Sequence, residues 1–108
     1  MQAERIFFLN QEIENDPGEP FNYYALALEY LKENKEKSEE LFDLLLQKFP
    51  EYLPTYYQAA NFFFETEKYQ KAEVFFKTGI DLAQKQGKSK ALAELKGSYQ
   101  IFLDEIEE

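Results

Sequence analysis

The chain has 108 residues, 44% of them apolar and 18% aromatic, and a formal charge of −9 at pH 7. It contains no cysteine and no histidine, which excludes disulfides, zinc–thiolate sites, thiol nucleophiles, His–metal clusters and a Ser-His-Asp triad. The acidic balance repels phosphate backbones, so nucleic acid is not an expected partner, and the length suits one domain with a real core.

Six helices are predicted. The first covers about residues 2–15, striped by Ile6, Leu9 and Ile13 with Phe7 and Phe8 beside them. Its apolar run Ile6-Phe7-Phe8-Leu9 is too short for a signal-peptide core or a membrane span. No Asn-x-Ser/Thr site occurs, and a cytoplasmic protein without membrane contact is expected. Asp16-Pro17-Gly18 ends this helix, because Pro denies the helical conformation to the residue before it. The second helix starts near Pro20, a residue suited to a first helical turn, and runs to about Glu33. The third spans about Glu36–Phe49, striped by Leu41, Phe42, Leu45 and Phe49, and Pro50 stops it. The fourth runs from near Pro54 to about Glu65. Thr66 is the expected cap of the fifth, which continues to about Gln84. Gly87 breaks the chain, and the last helix covers about Ser89–Ile106 with Leu92, Leu95, Tyr99, Phe102 and Ile106 on its stripe. The connections are short, so neighbouring helices should lie antiparallel. Charges fall opposite the stripes: the segment totals are −4 over residues 1–20, −3 over 21–52, 0 over 53–86 and −2 over 87–108. Glu67–Lys71, Glu73–Lys77 and Asp81–Lys85 have the acid-first spacing that supports a helix.

One pattern is written twice. Tyr23, Leu26, Ala27, Tyr30, Ser38, Phe42 and Pro50 are followed by Tyr56, Ala59, Ala60, Phe63, Ala72 and Phe76. Tyr23 to Tyr56 is 33 residues, and both Ser38 to Ala72 and Phe42 to Phe76 are 34. A period of ~34 with these residue types resembles the tetratricopeptide repeat, a stacking helix-turn-helix unit. The resemblance divides the chain into a half repeat (2–17), two repeats (20–52 and 53–86) and a C-terminal capping helix (89–106). Ser38 stands where the family has Ala, the first unit's loop is one residue short, and Gln84 takes the place of the second unit's Pro. The implied fold is all-α, a short right-handed solenoid of antiparallel helix pairs.

In that family the first helix of each unit lines a concave, peptide-holding face. The resemblance maps that face onto Phe21, Tyr24, Leu28, Leu31 and Lys32 in one unit and Pro54, Tyr57, Asn61, Phe64 and Glu65 in the other. Helical spacing independently puts 21, 24, 28, 31 and 57, 61, 64 on single faces. Helix 20–33 is apolar nearly all round, so its surplus must meet flanking helices, a ligand or another copy. Lys90 and Asn61 match two places of the family's carboxylate clamp for chaperone tails. Tyr24, Leu28 and Glu94 replace three others, which argues against an acidic tail and for an apolar or aromatic peptide. No catalytic constellation, calcium loop or phosphate cradle is present, so neither enzymatic activity nor a metal or cofactor is expected. The reading is a non-catalytic adaptor with Phe21, Tyr24, Leu28, Leu31, Tyr57, Asn61, Phe64 and Lys90 as its groove. The alternative is a homo-oligomeric module, for example a homodimer, that buries its aromatic surface against itself.

Overall fold

The computed structural model describes residues 2–107. These residues form six helices and no strand: α1 (Gln2–Asn15), α2 (Pro20–Tyr30), α3 (Lys35–Lys48), α4 (Pro54–Glu65), α5 (Tyr69–Gln86) and α6 (Ser89–Ile106). None of them is long and apolar enough to cross a membrane. The all-α helical-repeat fold divides into two compact units, Met1–Tyr52 and Leu53–Glu108.

In the first unit, α1 turns Leu9 inward, where it is buried with Ala25 and Leu26 of α2. Ile6, Ile13, Tyr30 and Leu41 close the same cluster. The chain then turns through Asp16-Pro17-Gly18. The Glu19 carboxylate accepts the Phe21 N–H at 3.1 Å and caps α2, and Pro20 occupies a position where its missing N–H costs nothing. The Tyr23 hydroxyl donates to the Pro17 carbonyl at 2.7 Å, and its ring lies 5.4 Å from Phe49. One side chain thus pins the entry turn and the end of α3 to α2.

The second helix stops at Tyr30, short of the predicted Glu33. The N–H groups of Glu33 and Asn34 both close onto the Tyr30 carbonyl, which tightens the last turn. This frees Asn34 to cap α3, its side-chain oxygen accepting the Lys37 N–H at 3.2 Å. Ser38 lies at the buried α2–α3 contact, where its hydroxyl donates to the Ala27 carbonyl at 2.7 Å. It therefore keeps the small size that the position demands and adds a cross-helix bond. Phe42 and Leu45 complete this core.

In the second unit, α4 and α5 are joined by three residues and pack as an antiparallel hairpin. Thr66 does not cap α5 as its position in the sequence suggested. Its hydroxyl donates to the Phe62 carbonyl at 2.9 Å, so it closes α4 and does not open α5. Glu67 follows in a left-handed conformation, φ 62°. Its N–H bonds Phe64 O at 3.1 Å and the Lys68 N–H bonds Phe63 O at 2.8 Å, a Schellman closure with Glu where Gly is usual. No side chain caps α5. That helix runs to Gln86, two residues past the predicted end. Gly87 then supplies the left-handed stop, φ 68°, and the Lys88 N–H reaches Ala83 O at 2.9 Å.

Tyr56, Ala59, Ala60 and Phe63 of α4 are buried against Ala72, Phe75 and Phe76 of α5. Burial of each such aromatic side chain contributes about 1.5–3 kcal/mol. Gly79 allows the closest approach, because a Cβ there would lie 2.5 Å from Tyr56 Cβ. The α6 residues Leu95 and Phe102 are also buried. Tyr99 and Phe102 stand 5.5 and 5.4 Å from Phe76. The Tyr99 hydroxyl donates to the Glu73 carboxylate at 3.0 Å, and Glu73 also lies 3.5 Å from Lys77, one of the pairs expected from spacing.

Candidate interaction surfaces

In the first unit, α2 buries Asn22, Ala25, Leu26 and Ala27 and turns Phe21, Tyr24 and Leu28 toward a less covered face. Phe21 is 47% exposed. Tyr24 is half-buried, its ring meeting Tyr52 edge to face at 5.7 Å. Burial pushes the Tyr52 phenol above its usual pKa, with Tyr24 and the Glu19 charge adding to the rise. Leu28 lines a shallow open cleft of about 500 Å³ with Gln2, Arg5, Glu29 and Lys32. Arg5 lies 3.8 Å from the Glu29 carboxylate, and the Gln2 amide donates to the Glu29 carbonyl. Leu31 falls just past the end of α2, half-buried, its N–H directed at Leu28 O at 3.3 Å.

In the second unit, Tyr57 is 40% exposed on α4. Asn61, one turn on, donates its side-chain amide to the Tyr57 carbonyl at 2.8 Å. Phe64 is half-buried: its ring meets Phe102 of α6 edge-on at 5.3 Å and stands 6.4 Å from Tyr69. Part of its apolar surface is therefore taken up within the unit. Lys90 is exposed in the first turn of α6 and lines a second open cleft, about 610 Å³, with Leu53, Gly87, Lys88, Ser89, Ala91 and Glu94. Among the described residues no three Asp, Glu, His or Cys side chains gather to hold a metal ion.

No family model matches the chain, and no curated protein matches it. Solved structures do. The crystal structure of a tetratricopeptide repeat domain protein from Salinibacter ruber is 31% identical, with a TM-score of 0.74, over 80% of this chain and 97% of that one. A solution NMR structure of a tetratricopeptide repeat domain protein from the same organism is 33% identical, with a TM-score of 0.75, over 81% and 89%. The chain belongs to the tetratricopeptide repeat family. Its fold is that of a protein-interaction module in general, a type of scaffold that is typically non-catalytic.

Within this tetratricopeptide repeat protein, the first unit carries Phe21, Tyr24, Leu28 and Leu31 and the second carries Tyr57, Asn61, Phe64 and Lys90. Sequence reasoning missed Tyr52, Arg5 and Gln2 as neighbours of the first set. Tyr52 lies outside any helix, and helical spacing is blind to a residue delivered by a turn. Arg5 and Gln2 come from α1, where the stripe of Ile6, Leu9 and Ile13 drew attention to the opposite purpose of that helix.

Proposed function

We propose that the chain is a non-catalytic adaptor that captures a short apolar or aromatic segment of a partner protein on the first-helix faces of its repeats. The exposure of Tyr57 beside Asn61 carries this reading: a large aromatic surface is turned to solvent on a helix whose opposite face, Tyr56, Ala59, Ala60 and Phe63, is buried. Aromatic anchors give contact area at a small loss of side-chain entropy, so few of them dominate affinity. Asn61 has its amide nitrogen bound to its own helix, which orients its oxygen as an acceptor for a peptide N–H. Phe21, Tyr24 and Leu28 offer a comparable face in the first unit, followed by Leu31, and the second unit adds Phe64 and Lys90. The test is selection of a random-peptide phage library on the immobilised chain. Wild type is expected to enrich a consensus, and the Tyr24→Ala/Tyr57→Ala variant to enrich none while its far-ultraviolet circular dichroism stays helical. Equal enrichment by both proteins would sink the groove.

A second reading rests on a different observation. Phe7 and Phe8 on α1 are 67% and 51% exposed, and Ile101 on α6 is 59% exposed. Patches of this kind are used for self-association. Light scattering during size-exclusion chromatography over a wide concentration range decides it: a mass that doubles supports a homodimer, and a constant monomer mass removes it.

A further inference from the structure

Charge is distributed unevenly between the two units. Residues 1–52 hold twelve acidic and five basic side chains, a formal −7, whereas residues 53–108 hold nine and seven, a formal −2. A positively charged partner segment is therefore steered toward the first unit. At the start of α2 that unit carries two aromatic rings in contact, with an exposed aromatic side chain and a carboxylate just before them in the chain. Tyr24 and Tyr52 meet at 5.7 Å, Phe21 stands one turn before Tyr24 with 47% of its surface exposed, and Glu19 lies at the helix cap. One Glu19 oxygen accepts the Phe21 N–H, which fixes the carboxylate at the first turn of α2. The Glu19 charge also adds, after burial and Tyr24, to the rise in the Tyr52 pKa.

Aromatic faces are electron-rich and attract cations, while a carboxylate adds a full charge. An acidic anchor is repelled here, and a purely apolar anchor gains nothing from Glu19. A guanidinium satisfies both partners, because it stacks on a ring and donates to a carboxylate from the same plane. We propose that the corner formed by Glu19, Phe21, Tyr24 and Tyr52 docks an arginine side chain of a basic, partly apolar partner segment. This assignment rests on the capture reading above and narrows the partner's chemistry.

The library selection on the full chain also tests it. Enriched peptides are expected to carry arginine among apolar residues. Synthetic copies are then titrated by fluorescence anisotropy against Glu19→Gln, which keeps an oxygen for the helix cap, and against Tyr52→Leu. Each is expected to bind about two- to five-fold more weakly than wild type, while Tyr52→Phe, which keeps a ring, binds as wild type does. Enriched peptides without a cation, or arginine peptides indifferent to both Glu19→Gln and Tyr52→Leu, overturn the arginine site and leave capture standing. A selection that enriches nothing overturns capture and the arginine site together.

Discussion

At the scale of single residues, two positions in the second unit have opposite relations to their surroundings. Gly79 is full: an added methyl would lie 2.5 Å from Tyr56 Cβ, an atom tied to the backbone that cannot swing aside. Gly79→Ala is expected to destabilise the fold by about 1–3 kcal/mol, read as a lower urea midpoint; an unchanged midpoint would refute the close approach. Thr55 is the reverse case. Its side chain is fully buried and its hydroxyl has no hydrogen-bond partner. Thr55→Val keeps the shape and removes the unsatisfied oxygen, so a gain of about 1 kcal/mol is expected in the same assay. The sequence announced neither position, because both depend on what packs against them from another helix. Ser38 was legible as a tolerated small residue, but its bond to Ala27 needed the partner carbonyl to be in view.

At the scale of elements, period and proline placement located all six helices, whereas their ends followed local competition for backbone groups. Thr66 illustrates the difficulty. A threonine between two helices can cap the second or close the first, and the left-handed Glu67 behind it decides for closure. A side chain at that φ is strained by about 1–2 kcal/mol. Glu67→Gly should therefore raise the thermal midpoint, and a lower midpoint would show that Glu67 makes a compensating contact. The sixth helix is tied to the fifth by the Tyr99–Glu73 bond. Burial, followed by that bond and the nearby charge, raises the Tyr99 pKa above the usual 10.0. The folded state thus holds this proton more tightly than the unfolded state. Its stabilising share is complete below pH 10.0 and is lost as pH rises through the folded value. Urea midpoints should fall more steeply in alkali for wild type than for Tyr99→Phe; parallel profiles would contradict this linkage.

At the scale of the molecule, the repeat architecture was legible because a ~34-residue period is a property of the whole chain and survives local error. The candidate surface was only partly legible. Helical spacing put Phe21, Tyr24 and Leu28 on one face and Tyr57 and Asn61 on another, yet it gave no warning that Phe102 would lie across Phe64 or that a turn would bring Tyr52 to Tyr24. The distribution of buried aromatics has its own consequence. Among the described residues, and apart from Phe42, every aromatic side chain with less than a tenth of its surface exposed belongs to the second unit: Tyr56, Phe62, Phe63, Phe75, Phe76 and Phe102. The first unit buries one such ring, Phe42, together with Leu9, Leu26 and Leu45. Local opening should then begin there, and amide hydrogen exchange is expected to be fastest in α1 and α2 and slowest in α4 and α5. Uniform exchange across the helices would show a single cooperative unit. If the order holds, the corner assigned to arginine sits on the part of the chain with the shortest closed lifetime. A bound peptide, which favours the closed form only, would lengthen that lifetime. Recognition would then be recorded as slowed exchange in α2, without any displacement of a helix.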